Sequence, residues 1–219
     1  MNKKILSLLL FSFASQSFAF TTEDFETETA GSPSFTDNGL TFTVTGAVDN
    51  YNIWEQGFFD GNGAASDSCP GSCGWNGTSA DTKFLDNTGV PNGNLIAAGD
   101  GSSFSIVTTG NFFVQSLYLF CATSTITTHT GTVTITGMRN GMVIYTIFKD
   151  SGFSNVVTFT PSNGFTLFDF ATDGMADYTD DPIDTLIISS TGNLDYMALD
   201  GFTWEPTALP VELQSFSIE

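Results

Sequence analysis

The sequence has few basic residues. Its 219 residues include only 5 lysines and arginines but 24 aspartates and glutamates, and the formal net charge at pH 7 is −19. A surface this acidic repels phosphate backbones, which argues against a nucleic acid as partner. Charged residues make up only 13% of the chain, whereas 41% is hydrophobic and 14% is aromatic. This apolar content is enough for a sizeable core, so the composition also argues against intrinsic disorder.

Long hydrophobic runs are also missing, apart from one at the N-terminus. Residues 1–19 combine two early lysines, an apolar run from Ile5 to about Ala14, and small residues up to Ala19. This layout is typical of a secretory signal peptide cleaved after Ala19, and the apolar run is shorter than a membrane-spanning helix. We therefore expect an exported protein, secreted or held at the cell surface, whose mature chain has no transmembrane segment.

Cysteine is scarce, and its count is odd: Cys69, Cys73 and Cys121. Export permits disulfides, but an odd count leaves at least one thiol unpaired or paired between chains. The Pro-Gly turn between Cys69 and Cys73 favours a small disulfide loop, and Cys121 lies in an apolar run, which predicts a buried free thiol. Three cysteines and one histidine at irregular spacing do not suggest a zinc site.

Alternation of apolar and polar residues dominates from Phe35 onward and predicts β-strands. In residues 40–45 the side chains of Phe42 and Val44 point to one side and the threonines to the other. The other predicted strands are 104–108, 112–121, 132–136, 142–148, 156–160, 183–189 and 195–204. Between them, Asn140-Gly141 is the strongest hairpin signal, and Gly110-Asn111 is interpreted as a further turn. No segment has helical periodicity.

Many short strands at nearly regular spacing predict an all-β chain, an antiparallel β-sandwich of jelly-roll-like topology. We expect a single domain over residues 20–206, followed by a linker and tail over 207–219. Residues 51–101 alternate poorly and are rich in Gly, Asn, Asp and Ser. They are interpreted as a long loop excursion with short strands at 52–55 and 83–86, and long loops are where sandwiches carry function.

Aromatic residues in this excursion are the candidate ligand-binding residues, above all Tyr51, Trp54 and Trp75. Sugar rings stack on aromatic faces, while amides and carboxylates bond their hydroxyl groups, so this mixture suits a polysaccharide or a cell-surface glycan. The alternative is a small core in which the same rings pin the loop to the sandwich.

Acidic residues cluster at the start of the mature chain, in the last predicted strand, and in loops at 60–67 and 173–184. Crowded carboxylates with few cations nearby are stabilised by a divalent ion. Calcium prefers oxygen ligands and is abundant outside the cell, so we expect a stabilising calcium ion. None of the loops matches the EF-hand pattern. The alternative is a set of solvated acidic loops that aid solubility.

Patterns of catalytic residues are weak. His129, the single histidine, has no nucleophile-elbow glycine pattern near it. Paired carboxylates for glycoside hydrolysis are conceivable, but 24 acidic residues allow so many pairs that the pattern is unspecific. We therefore expect a non-catalytic binding module. A structural or adhesive surface protein is one alternative, and a sandwich-fold enzyme that cleaves glycosides is the other.

Several short motifs resemble those of secreted bacterial jelly-roll modules, in particular galactose-binding-like and carbohydrate-binding modules. They lie in the hairpin at 130–145, in 183–189 and in 196–202, where Asp-Gly-Phe closes the last strand. The resemblance implies a β-sandwich that binds carbohydrate. Several such modules hold a calcium ion between their first and last strands, which implies Asp24, Glu26 and Asp200 as metal ligands here. Residues 209–216 resemble the junction before C-terminal sorting domains.

Overall fold

The computed structural model describes residues 19–47, 49–55, 59–60, 64–65, 74–76, 80–87, 99, 101–149 and 162–207, with backbone alone at 59–60 and 64–65. The predicted signal peptide up to residue 18, the cysteines of the predicted disulfide loop, the predicted strand 156–160 and the tail from residue 208 lie outside this part of the chain. The described part consists of β-strands, connecting loops and a 3₁₀ turn at Ser162–Gly164. Within it, no helix is long and apolar enough to cross a membrane.

The strands follow the alternating pattern of the sequence. In chain order they are β1 (Thr21–Glu23), β2 (Ser34–Asp37), β3 (Leu40–Gly46), β4 (Asn52–Glu55), β5 (Phe59–Asp60), β6 (Ala64–Ala65), β7 (Lys83–Asp86), β8 (Ser103–Ala122), β9 (Val133–Arg139), β10 (Met142–Lys149), β11 (Thr166–Asp169), β12 (Ile183–Ser190) and β13 (Tyr196–Pro206). In β3, buried Phe42 and Val44 alternate with exposed threonines, as predicted. Asn140 and Gly141, at φ 51° and 75°, form the predicted two-residue hairpin between β9 and β10.

All strand pairs are antiparallel, and they form two layers that share the long strand β8. The first layer has the order β10-β9-β12-β8-β3-β2, and β8 takes part through residues 103–107 and Phe112. In the second layer, residues 112–122 of β8 pair with β13 on one side, and β11 pairs on the other. The free side of β13 pairs with β1 and β7, and β7 with β4. The short strands β5 and β6 pair with each other.

Aromatic side chains fill the space between the two layers. The Phe42 ring of β3 lies edge-on against Trp204 of β13, with centroids 4.7 Å apart at 80°, although these strands are not hydrogen-bonded neighbours. Phe35 and Phe202 also meet across the layers, at 6.4 Å. All four side chains are at most 2% exposed, and full burial of a side chain such as Phe contributes about 1.5–3 kcal/mol. The predicted antiparallel β-sandwich is confirmed.

One predicted turn is wrong. We expected Gly110 and Asn111 to separate two strands, but β8 continues through them without interruption. They lie where β8 passes from one layer to the other. A Cβ at Gly110 would lie 3.0 Å from the Leu40 side chain, so glycine provides room for a close approach at this point rather than a turn.

Candidate functional site

The second layer is apolar on both faces. Along β13, Met197 and Leu199 belong to the core between the layers, whereas Tyr196 and Ala198 belong to a separate cluster on the outer face. That outer cluster consists of buried Phe84, Phe120, Ala122, Phe165, Tyr196 and Ala198, against which partly buried Trp54, Trp75, Tyr118 and Ile126 pack. We call this set the outer aromatic cluster. It brings together two of the three predicted ligand-binding residues.

Three neighbouring groups hold Trp75 in place. Its ring stacks on Tyr118, with centroids 4.4 Å apart and an interplanar angle of 25°. Its backbone N–H donates a 3.0 Å hydrogen bond to Oδ2 of Asp200. Gly201 lies against both rings, since a Cβ at that position would be 2.9 Å from Trp75 Cε2 and from Tyr118 Cδ2. Because the half-buried Trp75 ring is fixed in advance, a ligand that stacks on it would lose little further conformational entropy.

Trp54 and Tyr51 have different surroundings. Trp54 of β4 is half-buried in the outer aromatic cluster. Tyr51 belongs to the core between the layers, where it is 3% exposed, stacks on Phe104 at 4.2 Å and shares a 2.7 Å hydrogen bond with the Ser102 hydroxyl. This burial leaves no open ring face for a stacked sugar. For Tyr51 the structure therefore favours the alternative interpretation, in which the ring pins the loop to the sandwich.

Four carboxylates form a second feature of the site: Asp24, Glu26, Asp81 and Asp200, which we call the acidic cluster. Asp200 is fully buried, and Asp81 is 1% exposed. Burial raises the pKa of Asp200 well above its usual range, and the charges of Asp81 and Asp24 raise it further. Burial also raises the pKa of Asp81 to about 6, with a further contribution from the charges of Glu26 and Asp24. The cluster touches Trp75 through the hydrogen bond to Asp200.

The three predicted metal ligands, Asp24, Glu26 and Asp200, thus belong to one cluster, but they do not surround a common point. The Glu26 carboxylate instead accepts hydrogen bonds from the backbone N–H groups of Thr82 and Lys83, at 2.6 and 2.5 Å. Among the residues that the structure describes, no three His, Cys, Asp or Glu side chains could hold one metal ion together. As arranged here, the three carboxylates do not fit a shared calcium site, and calcium stays a prediction.

The other acidic loops contribute less to the site. In the loop before β12, Asp173 forms a 2.9 Å ion pair with Lys149, whose ammonium group lies 5.0 Å from the centroid of the Phe168 ring. The positive charge of Lys149 therefore balances the negative charge of the Asp173 carboxylate. The side chains of the predicted loop 60–67 lie outside the described residues.

Two residues of the site, Asp81 and Tyr118, were not among those predicted. Tyr118 lies in a strand, where alternation shows only that its side chain points away from those of Leu117 and Leu119. Its contact with Trp75 depends on how the loop excursion folds back over β8, and no local sequence pattern encodes that path. The only signal for Asp81 was its place in the polar excursion.

No protein-family model matches the sequence, and a search of curated proteins found no match. Among solved structures, the chain is similar to a DUF4465 family protein from Bacteroides caccae (11% identity, TM-score 0.43, covering 89% of this chain and 92% of that one). It is also similar to the adhesin domain of Lys-gingipain from Porphyromonas gingivalis, with 9% identity and a TM-score of 0.43, over 87% of this chain and 100% of that one. A third similar structure is TmCBM61 in complex with β-1,4-galactotriose, with 8% identity and a TM-score of 0.34, over 75% of this chain and 88% of that one.

Carbohydrate-binding modules, the group that the sequence resembles, are thus among the structures to which this chain is similar. All three TM-scores given above are below 0.5. For that reason the fold assignment above depends on the strand pairing of this chain alone, and no ligand is transferred from these structures.

Proposed function

We propose that this protein is a non-catalytic module that binds a glycan, either a polysaccharide or a cell-surface glycan, on the outer aromatic cluster. The observation that carries the proposal is the half-buried Trp75 ring, fixed on Tyr118 and next to the acidic cluster. Aromatic faces stack on the C–H faces of sugars, and carboxylates accept hydrogen bonds from sugar hydroxyls. Trp54 supplies a second half-buried ring of the same cluster.

Within the acidic cluster, the four carboxylates differ in their access to a ligand. Asp24 and Glu26 are only partly buried, so they are the members that a sugar hydroxyl would meet. Asp81 and Asp200, whose pKa values are raised, are 1% and 0% exposed. A general acid must reach the glycosidic oxygen. We therefore propose binding through this cluster and no cleavage step.

Binding of a polysaccharide panel to the wild type and to Trp75→Ala and Trp54→Ala tests this function. We expect Trp75→Ala to weaken binding about tenfold or more, because stacking rings are frequent binding hot spots, and Trp75→Phe to retain part of the affinity. Phe148→Ala is the matched control, since Phe148 is 61% exposed on β10, outside the cluster. If no polysaccharide binds, or if Trp75→Ala and Phe148→Ala bind alike, the proposal fails.

Export and calcium are further proposals. The leader-like residues 1–19 support export, and the N-terminus of protein recovered outside the cell should begin at Phe20. For calcium, the support is that burial and neighbouring carboxylate charges raise the pKa values of Asp81 and Asp200, and a divalent ion nearby would offset those charges. We expect a chelator to lower the melting temperature and added calcium to restore it. If neither chelator nor added calcium changes the melting temperature, the calcium proposal is refuted.

A structural or adhesive surface protein is the second candidate function, and exposed apolar side chains on β10 favour it. Met142, Val143 and Phe148 are 65%, 60% and 61% exposed, and exposed apolar patches often mark association sites. Sedimentation velocity of the wild type and of Val143→Ser/Phe148→Ser separates the two functions. Self-association that the double variant abolishes, together with no affinity for any glycan of the panel, would favour adhesion.

A further inference from the structure

The outer face of the first layer has a pattern that the proposed function does not use. Strand pairing places its side chains, because residues paired across an antiparallel sheet point to the same face. One row crosses β10, β9, β12, β8 and β3 in that order, and it consists of Thr146, Thr136, Ile187, Ser105 and Thr45. None of these side chains is buried, although each lies next to a buried residue along its strand.

A second row lies beside the first and has the same character. The same five strands contribute to it Val143, Met138, Thr185, Val107 and Thr43. These side chains are also at least partly exposed. Neither row contains a charged residue. We call the surface formed by the two rows the threonine face.

The few charged residues of the first-layer strands lie at the rim of this surface. Each is at a strand end or one residue from it: Asp37, Arg139, Lys149 and Asp184. The Asp184 carboxylate accepts a 2.6 Å hydrogen bond from the Asn140 N–H in the turn between β9 and β10, and Lys149 pairs with Asp173. The second layer, by contrast, carries the acidic cluster. In a chain with a formal charge of −19, the threonine face is therefore a surface without charge.

The apolar members of the threonine face carry the inference. Threonine is a good strand former on any solvated face, so the threonines alone would indicate nothing. Val143 and Val107, however, are 60% and 37% exposed. Met138 is paired with Val143, and Ile187 lies diagonally between Met138 and Val107. Together they form an apolar strip across four adjacent strands, and exposed apolar patches mark association sites.

A second copy of this chain is the partner that fits this surface. Two chains of charge −19 repel each other, but contact through the threonine faces keeps the acidic clusters on the far sides. Hydroxyl groups both donate and accept, so the face is complementary to itself, and two sheets of the same twist pack face to face as in a sandwich. Five strands about 4.8 Å apart, paired over about 20 Å, give about 500 Å² per copy. A standard interface buries about 800 Å² per partner, so we expect a weak dimer.

We propose that two copies of this protein associate through their threonine faces, about a two-fold axis. The inference goes beyond glycan binding and does not depend on it, because Trp75 and the outer aromatic cluster belong to the other layer. A dimer of this kind would present its two glycan sites on opposite outer sides. Bivalent contact would then hold a polysaccharide more tightly than one site does.

Sedimentation velocity of the purified wild type over a range of concentrations tests the association. We expect a monomer–dimer equilibrium with a dissociation constant of about 10–100 μM. Raising sodium chloride from about 0.05 M to about 0.5 M should strengthen the dimer, because salt screens the repulsion between the acidic chains and the contact itself contains no ion pair. A wild type that stays monomeric at about 1 mM, or a dimer that salt weakens, would overturn the inference.

Paired substitutions locate the contact. Val107→Asp and Val107→Lys should both weaken the dimer about tenfold or more, because each places unpaired charges in the interface. Leu167→Asp and Leu167→Lys are the matched controls and should leave the dimer intact, since Leu167 is 42% exposed on β11 in the second layer. If the Val107 and Leu167 variants dimerise alike, the copies meet elsewhere. If Val107→Lys strengthens the dimer that Val107→Asp weakens, net charge governs the association, and either result overturns the inference.

Two additions keep the test decisive. Thr146→Asp and Thr146→Lys, at an exposed position of the first row, repeat it if a Val107 variant does not fold. Trp75→Ala should lose glycan affinity yet dimerise as the wild type does. The glycan proposal and the dimer proposal can therefore fail separately.

Discussion

Glu23 of β1 offers the sharpest test of the electrostatics of this fold. Its side chain is 6% exposed, and its Oε1 atom accepts a 2.5 Å hydrogen bond from the Phe25 N–H. Burial raises the pKa of Glu23 from 4.5 to about 7, against the lowering effect of that hydrogen bond, and the nearby charges of Asp37, Glu28 and Asp24 raise it further. The perturbation is Glu23→Gln, which keeps an oxygen for the Phe25 N–H but cannot ionise.

The sign of the effect follows from the raised pKa of the folded state. Below pH 4.5 Glu23 is protonated in both states, and its contribution to stability is fully present. As the pH rises toward 7 the unfolded chain ionises first, so the wild type loses stability that Glu23→Gln keeps. The difference grows to about 1 kcal/mol at pH 5 and about 3 kcal/mol at pH 8.5. For a domain of this size, about 3 kcal/mol corresponds to a rise in melting temperature of about 6–12 °C.

The assay is thermal unfolding of both proteins at pH 5 and pH 8.5, with chelator present so that bound cations do not contribute. The pH is kept above 4 because a chain with 24 acidic and 5 basic residues approaches zero net charge there and would precipitate. Glu55→Gln, which removes one charge from an exposed position on β4, is the control and should show no such pH dependence. A Glu23→Gln variant that is equally stabilised or destabilised at both pH values would refute the reasoning.

Two further predictions concern the second layer. Gly201→Ala should destabilise the protein by about 1–3 kcal/mol and change the tryptophan fluorescence, because the new Cβ would press on Trp75 and Tyr118. Gly39→Ala is its control, since Gly39 also has positive φ but nothing within 4 Å of a Cβ, so equal losses would exclude crowding as the cause. Cys121 is fully buried, and burial raises the pKa of its thiol well above the usual range. Cys121 should react with a thiol reagent only at the rate of unfolding, and rapid labelling located at Cys121 itself, rather than at Cys69 or Cys73, would contradict the structure.

Sequence reasoning predicted most of the strands in which one face is more buried than the other, although it missed β2, where Phe35 is the buried residue. In β9 the alternation of buried Val133 and Ile135 with polar threonines was readable directly. β1 and β11, of three and four residues, were missed, and they are defined by their pairing with β13 and β8. The predicted short strands at 52–55 and 83–86 are β4 and β7, and Cys121 is buried and free, as expected.

The candidate site was less predictable for a physical reason. The sequence shows that Trp54 and Trp75 lie in a polar excursion, but whether their rings are open or covered depends on contacts with distant strands. The hydrogen bond from Trp75 to Asp200 joins residues 125 positions apart. Tyr51, in the same excursion, instead became part of the core through contacts with Ser102 and Phe104. Composition alone does not distinguish these outcomes.

The pairing of β1 with the end of β13 has a mechanical consequence. Thr21 lies opposite Trp204 and Glu23 opposite Phe202, so the chain enters β1 and leaves β13 at the same end of an antiparallel pair. A pulling force applied to the residues just before β1 and just after β13 would break the hydrogen bonds between these two strands one after another instead of all at once. We expect β1 to peel away at low force, while the two layers, joined by the continuous strand β8, resist until higher load.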